Sequence, residues 1–106
     1  MELSSQRCEP CRVGTPPLSA EEAAELLKAT PRWRLKDNAV EREFEFKDFR
    51  AAIDFVNAVA ELAEAEDHHP DIHVSYSRVR LELTTHKIKG LSRNDFILAA
   101  KIDRLT

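Results

Sequence analysis

Hydrophobic and polar residues change their spacing along the chain, and these changes divide it into seven predicted elements. Apolar residues recur every three or four positions from residue 49 to residue 63, which predicts an amphipathic helix ending near Glu66. Alternation at every second position predicts four strands, near residues 33–35, 40–46, 72–76 and 79–83. Ser19 and Ser92 each begin a capping-box pattern, which predicts a further helix after each serine.

The resulting order is αββαββα. Two hairpins separated by a helix predict an α+β two-layer sandwich, with a four-stranded antiparallel sheet and three helices on one face. We expect the second hairpin to turn at residues 77–78. The long helix is predicted to turn one stripe of side chains inward: Phe49, Ala52, Ile53, Val56, Val59, Ala60 and Ala63. The sheet face away from the helices is predicted to stay wet or to meet another subunit at its edge, because it carries charged residues: Glu41, Glu43, Glu45, Arg78, Arg80 and Glu82.

The length of 106 residues suits one compact domain. Residues 1–18 contain glycine and proline without apolar periodicity, so they are predicted to form an extended N-terminal arm before a single domain at residues 19–106. Cys8 and Cys11 lie in this arm and make half of a zinc-binding pattern without a second pair. Two reduced thiols, a metal completed by another subunit or a histidine, and a redox pair all remain open for them.

Composition narrows the classes of partner. Hydrophobic residues make up 42% of the chain and charged residues 33%, as in a soluble globular protein. No apolar run of about 18 residues exists and the N-terminus lacks the apolar core of a signal peptide, so we expect a cytoplasmic protein without a membrane partner. The net charge is −3 and no basic block occurs, which argues against nucleic-acid binding.

Candidate chemistry concentrates around the second predicted hairpin. His68 and His69 precede its first strand and His86 follows its second, so antiparallel pairing brings these ends together although His69 and His86 are 17 residues apart. Glu64 and Asp95 flank the same end, and such carboxylates fix histidine tautomers. Histidine titrates near neutral pH, so the cluster suits a reaction that adds one proton and removes another.

Residues 64–70 (Glu-Ala-Glu-Asp-His-His-Pro), Tyr76, residues 85–87 (Thr-His-Lys) and residues 90–96 (Gly-Leu-Ser-Arg-Asn-Asp-Phe) together resemble the pattern of pterin-4a-carbinolamine dehydratases. The resemblance runs from about Ser19 to Asp103, and the arm with its two cysteines resembles that of some bacterial members.

The resemblance implies an enzyme that converts 4a-hydroxytetrahydropterin to quinonoid dihydropterin and water, in the recycling of the tetrahydropterin used by an aromatic amino acid hydroxylase. It implies that His68 and His86 are general acids and that His69 binds the ring and assists loss of the N5 proton. Glu64 and Asp95 would orient the histidines or the pterin, although Asp95 also suits a helix cap. Tyr76 would line the pterin pocket or fill the core. We expect no cofactor and no metal. We expect the protein to form a homodimer or a homotetramer.

Two other hypotheses compete with this interpretation. Three histidines and a carboxylate could hold zinc or iron, although adjacent residues such as His68 and His69 are hard to direct at one ion. Animal members of the family also dimerise a transcription factor, so an interaction module is the other alternative. The sequence contains no feature specific to that partner.

Overall fold

The computed structural model describes residues 3–9 and 15–106, in which the α-helices and strands follow the predicted order. They are α1 (Ala20–Leu27), β1 (Arg34–Lys36), β2 (Ala39–Glu45), α2 (Phe49–Glu66), β3 (Asp71–Ser75), β4 (Arg78–Leu83) and α3 (Arg93–Asp103). Short 3-10 helices add Leu3–Ser5 and His86–Ile88. The strands form one antiparallel sheet in the spatial order β1-β2-β4-β3. The predicted α+β class with an antiparallel four-stranded sheet is confirmed.

The hydrophobic core lies between one face of the sheet and the helices. The two central strands, β2 and β4, supply its floor with side chains that are at most 5% exposed: Val40, Phe44, Val79, Leu81 and Leu83. The helices supply the other side, mainly from α2 and α3: Ala52, Phe55, Val59, Phe96, Leu98 and Ile102. Each large apolar side chain buried in this way stabilises the fold by about 1.5–3 kcal/mol.

Arg42 points from β2 toward the core, and Asp103 at the end of α3 accounts for its position. Nη1 of Arg42 lies 2.5 Å from Oδ1 of Asp103, and the guanidinium carbon lies 4.2 Å from the centroid of the Phe44 ring. Nε1 of Trp33 donates to the same aspartate oxygen at 2.8 Å. A charged residue therefore interrupts the apolar row of β2 without leaving an unpaired charge in the core.

The helix α2 has the predicted ends but buries a different stripe. Phe49 was predicted to face inward and is 51% exposed, whereas Phe55, which was not predicted, is 6% exposed and packs on Phe44 and Phe46. Ala60 is also exposed, and Val56 is only partly buried. The side of α2 that contains Phe55, rather than the side that contains Phe49, therefore packs against Phe44 and Phe46. In the described residues, neither α2 nor any other helix is long and apolar enough to cross a membrane.

The prediction that the charged face of the sheet is exposed is wrong at Glu41, which is 1% exposed. The Oε1 atom of Glu41 accepts a hydrogen bond from Nε of Arg34 at 2.6 Å, and its Oε2 atom lies 3.7 Å from Lys36 and 3.5 Å from Arg80. Burial alone would raise the pKa of Glu41, but the hydrogen bond and charge of Arg34, with Lys36 and Arg80, lower it overall. The neighbouring cations cover this carboxylate and hold it in its charged form.

The edge strand β3 is exposed along its whole length. Ile72 and Val74 pair with the buried β4 residues Leu81 and Val79, but they remain 36% and 40% exposed themselves. The helices therefore cover the two central strands more fully than this edge. The hairpin turns at Tyr76 and Ser77, one residue earlier than predicted. Tyr76 has a φ of 52°, in the left-handed region that glycine and asparagine favour.

Residues 3–9 are the described beginning of the predicted N-terminal arm, and only this segment is called the arm below. Where extended chain was predicted, the arm contains a short 3-10 helix. Leu3 begins a 3-10 helix, is 6% exposed and belongs to the hydrophobic core. Nζ of Lys101 on α3 donates to the carbonyl oxygen of Ser4 at 3.1 Å. The arm is thus packed on α3 as part of the folded domain. Cys11 lies outside the described residues, so the predicted cysteine pair is seen only at Cys8.

Candidate functional site

A pocket of about 510 Å³ opens where α2 ends and β4 ends. Its lining includes all three histidines predicted for the site, His68, His69 and His86. The hairpin formed by β3 and β4 brings them together, because antiparallel strands place the start of one beside the end of the other. The volume lies within the range of 300–1,000 Å³ that is typical of small-molecule sites.

His68 is the most sheltered of the three histidines, and it is paired with Asp95. Its Nε2 atom lies 2.6 Å from Oδ1 of Asp95, and the two side chains are 12% and 0% exposed. The ring and the carboxylate are therefore held in one geometry, with the carboxylate fully out of water. An ionised carboxylate accepts but does not donate, so this bond places the proton of the ring on Nε2 and leaves Nδ1 for other contacts.

The second oxygen of Asp95 is held by the loop that precedes α3. Oδ2 accepts hydrogen bonds from the backbone N–H of Ser92 at 2.9 Å and from Oγ1 of Thr85 at 2.9 Å. The hydroxyl groups of Thr85 and Ser92 also share a hydrogen bond of 2.7 Å. Asp95 therefore caps α3 and contacts His68 at the same time, so the helix cap does not exclude a place in the candidate site.

A left-handed residue directs His68 toward the pocket. The helix α2 ends at Glu66, and Asp67 follows with φ 51° and ψ 41°. The backbone N–H of His68 then donates to the carbonyl oxygen of Ala63 at 3.2 Å, which closes the end of the helix. Pro70 keeps His69 out of helical geometry. The chain thus reverses direction between α2 and β3, and His68 and His69 lie in this reversal.

His69 is exposed, and its partner is Glu64. Nε2 of His69 lies 2.5 Å from Oε2 of Glu64, and the two side chains are 56% and 77% exposed. Glu64 belongs to the last turns of α2 and reaches the ring from outside the pocket lining. This pair stays in contact with water, unlike the pair formed by His68.

His86 begins the 3-10 helix after β4 and is also exposed. Reciprocal backbone hydrogen bonds between Thr85 and Gly90 close the loop that carries it, at 3.0 and 3.4 Å. A side chain at Gly90 would approach Cβ of Pro17 to 2.6 Å, so a residue without Cβ fits this closure. His86 therefore lines the pocket from a loop that is closed by backbone hydrogen bonds.

Two other aromatic or imidazole side chains lie away from the pocket. Tyr76 is at the far turn of the hairpin, 70% exposed, and is absent from the pocket lining, so this chain does not bring it together with the histidines. It is also not the core residue that was the alternative. His73 lies on β3, where its Nε2 atom is 3.8 Å from Oε2 of Glu82.

Sequence reasoning missed the part of the pocket that the arm contributes. Arg7, Cys8 and Glu9 line it together with Glu66 and Asn94. Burial, followed by the nearby carboxylate of Glu66, raises the pKa of the Cys8 thiol to about 12, so Cys8 is a neutral thiol at physiological pH. No periodic signal in the arm could have revealed this packing.

A metal centre was the competing hypothesis for the histidine cluster. Over residues 3–9 and 15–106, no group of three or more His, Cys, Asp or Glu side chains is arranged to hold a metal ion.

Comparison with known proteins identifies similar chains. Residues 16–105 match the family model described as pterin 4 alpha carbinolamine dehydratase. A protein of Methylococcus capsulatus, provisionally named pterin-4-alpha-carbinolamine dehydratase, is 53% identical over 97% of this chain and 92% of its own length. A protein of Rubrobacter xylanophilus with the same provisional name is 48% identical over 98% of each chain.

Solved structures support the same fold. The crystal structure of a transcriptional coactivator/pterin dehydratase from Brucella melitensis has a TM-score of 0.80 and 36% identity, covering 84% of this chain and 97% of the other. A pterin dehydratase-like RuBisCO assembly factor of the alpha-carboxysome has a TM-score of 0.58 at 24% identity, covering 70% of this chain and 86% of the other. The second likeness concerns the fold alone.

Proposed function

This chain belongs to the pterin 4 alpha carbinolamine dehydratase family, and we propose that it removes water from a 4a-hydroxytetrahydropterin by histidine acid–base catalysis. The observation that carries the proposal is the convergence of His68, His69 and His86 on one pocket of about 510 Å³. The sheltered pair of His68 and Asp95 adds a preorganised proton donor or acceptor.

The reaction requires two proton transfers. A protonated imidazole gives a proton to the 4a-hydroxyl group, the C4a–O bond breaks and water leaves. The N5 proton passes to a second group, and its electron pair forms the N5–C4a double bond of quinonoid dihydropterin. General acid–base assistance of this kind contributes typically about 10²–10⁴-fold in rate.

The proposed roles are those that the family resemblance implies, applied to the side chains of this pocket. His68, which follows α2, and His86, which follows β4, are the general acids for the departing hydroxyl group. His69 binds the ring and accepts the N5 proton, with Glu64 stabilising the charged imidazole that forms. Asp95 plays the corresponding part for His68. Tyr76 has no role in this proposal, because it lies at the other end of the hairpin.

The reaction belongs, on this proposal, to the recycling of a tetrahydropterin after an aromatic amino acid hydroxylase has used it. The family membership supports this setting, and the pocket lining holds no group that limits it to tetrahydrobiopterin. A coupled assay that compares tetrahydropterins with different side chains measures that preference.

We also propose that the protein forms a homodimer or homotetramer. The edge strand β3 supports this, because its five residues are exposed and Ile72 and Val74 present apolar side chains there. Sedimentation velocity of the purified chain measures the state, and a monomer at micromolar concentration would contradict the proposal.

The catalytic proposal predicts that His69→Ala and His86→Ala each lower the dehydration rate about tenfold or more. Both side chains are exposed, so their loss should leave the fold intact. Stopped-flow measurement with freshly generated 4a-hydroxytetrahydropterin gives the rates, and circular dichroism checks folding. His73→Ala is the matched control, because His73 is also exposed but lies outside the pocket lining. Wild-type rates in both pocket variants would refute the proposed roles.

A further inference from the structure

The arm reaches the pocket because α3 anchors it along its length. Leu3 is buried in the core, and Nε of Arg93 donates to Oε1 of Gln6 at 2.9 Å. About two turns further along α3, Nζ of Lys101 donates a hydrogen bond to the carbonyl oxygen of Ser4 at 3.1 Å. These contacts fix the direction of the segment that follows, which carries Arg7.

Two side chains then clamp the end of the arm at the pocket. Oε1 of Glu66 accepts a hydrogen bond from the backbone N–H of Cys8 at 2.8 Å. Oδ1 of Asn94 accepts from the backbone N–H of Glu9 at 2.9 Å, and Nδ2 of Asn94 donates to the carbonyl oxygen of Glu9. Bonds in both directions specify the conformation of the arm, since an amide can satisfy both backbone groups only in one alignment.

The clamps are neighbours of the histidine site in the sequence. Glu66 ends α2 just before the reversal that carries His68, and Asn94 immediately precedes Asp95 on α3. The elements that position the sheltered His68–Asp95 pair therefore also position the arm. The arm lies outside residues 16–105, which match the family model, although the relative from Rubrobacter xylanophilus aligns over 98% of this chain and so includes it.

Arg7 is the cationic side chain that the described part of the arm presents at the pocket. It lines the pocket and is exposed, and it forms no hydrogen bond or ion pair with any residue in the described part of the chain. Its guanidinium group carries a permanent charge and five donors in a planar fork. A pterin ring presents its C4 carbonyl oxygen as a hydrogen-bond acceptor, to which a guanidinium N–H can donate.

We infer that the arm is a substrate-binding wall of the pocket, in which Arg7 donates a hydrogen bond to the C4 carbonyl oxygen of the pterin. Glu66 and Asn94 are positioning residues that act through the arm. This inference rests on the proposed function for the identity of the ligand. It assigns the binding of the ring in part to the arm, and leaves proton transfer to the histidines.

The direct test is Arg7→Ala in the full-length chain. Loss of a charged hydrogen bond to the ligand should raise KM about tenfold and change kcat by less than about threefold. Arg7→Lys, which keeps the charge but not the fork, should recover part of the loss. Arg32→Ala is the matched control, because Arg32 is likewise exposed and lies outside the pocket lining. An unchanged KM in Arg7→Ala, with wild-type protein active, would overturn the inference.

Asn94→Ala tests the clamp. It should raise KM several-fold with a smaller change in kcat, and amide hydrogen exchange at Cys8 and Glu9 should become faster. A merely structural role for Asn94 would lower the unfolding temperature without this split between KM and kcat. Faster exchange with an unchanged KM would count against the arm as a binding wall.

Fluorescence titration with 7,8-dihydrobiopterin separates the inference from the proposed function. Weaker binding by Arg7→Ala than by wild type supports the arm as a binding wall even if the wild-type chain proves to have no dehydratase activity, in which case only the proposed function fails. Equal binding by both proteins, with active wild type, defeats the inference and leaves the proposed function standing.

Discussion

His68 and His69 are adjacent in the sequence, and each pairs through Nε2 with one carboxylate, yet the two pairs lie in different surroundings. The side chains of His68 and Asp95 are 12% and 0% exposed, whereas those of His69 and Glu64 are 56% and 77% exposed. The distances are almost equal, at 2.6 and 2.5 Å. Distance alone therefore says little about what each pair contributes.

The surroundings decide the energetic difference. An exposed ion pair is screened by water and contributes about 0–1 kcal/mol. A carboxylate without access to water depends on every hydrogen bond it makes, because each bond that is lost leaves part of a buried charge uncompensated. We expect the geometry of His68 to be fixed before substrate arrives, and the geometry of His69 to adjust when substrate binds.

The largest effect should follow from Asp95→Asn, which keeps the shape of the side chain and removes its charge. The imidazolium form of His68 would lose its counter-charge, and an amide would face the hydroxyl of Thr85 and the N–H of Ser92. The dehydration rate should fall about 10²-fold, and the free energy of unfolding should fall by about 1–3 kcal/mol. Stopped-flow rates and urea denaturation measure the two quantities.

Asp54→Asn is the control for this change, because Asp54 lies on the exposed face of α2. It should match wild type in both measurements. Near-wild-type activity of Asp95→Asn would remove the distinction between the two histidines.

Thr85→Val should have an intermediate effect. Thr85 is 5% exposed, and its hydroxyl donates to Oδ2 of Asp95 at 2.9 Å, so the isosteric change leaves the carboxylate with one bond fewer. Stability should fall by about 1–2 kcal/mol and the rate several-fold. Thermal unfolding and stopped-flow kinetics provide the comparison.

Thr30→Val is a matched control for the hydroxyl group. Thr30 is fully buried, and its Oγ1 atom has no hydrogen-bond partner within residues 3–9 and 15–106. Removal of that hydroxyl should leave stability unchanged or raise it, since an unpaired buried polar group is unfavourable. Equal losses in both valine variants would mean that the bond to Asp95 adds nothing.

Glu64→Gln should have the smallest effect. Stability should change by less than about 1 kcal/mol because the pair is exposed, and the rate should fall by no more than about threefold. Raising the ionic strength from about 0.01 to 0.15 M should reduce the difference from wild type, because salt screens exposed charges. A loss as large as that of Asp95→Asn would show that exposure does not separate the pairs.

Local patterns predicted most of the fold. The capping box at Ser19 is present, with Oγ accepting from the backbone N–H of Glu22 at 3.1 Å, and α2 ends at Glu66 as predicted. Such signals involve residues three or four apart, so they can be recognised without knowledge of the tertiary structure. The meeting of the hairpin ends was also predictable, because antiparallel pairing alone requires it.

Features that depend on distant neighbours were not predictable. Two overlapping stripes exist on α2, and the aromatic residues of β2 select the one that contains Phe55 rather than Phe49. Glu41 is buried by cations from other strands. The arm docks through Asn94, 85 residues from Glu9 in sequence. A single sequence carries no periodic signal for any of these contacts.

The double use of Asp95 affects how descendants of this chain should be interpreted. One carboxylate both starts α3, through the backbone N–H of Ser92, and holds the ring of His68. If a descendant lost catalytic activity and served only as a binding scaffold, mutation of Asp95 would still remove the cap of α3. Selection for folding alone would therefore preserve the aspartate. Conservation of the aspartate is therefore weak evidence of enzymatic activity, and retention of the exposed imidazole at His86 is a better marker.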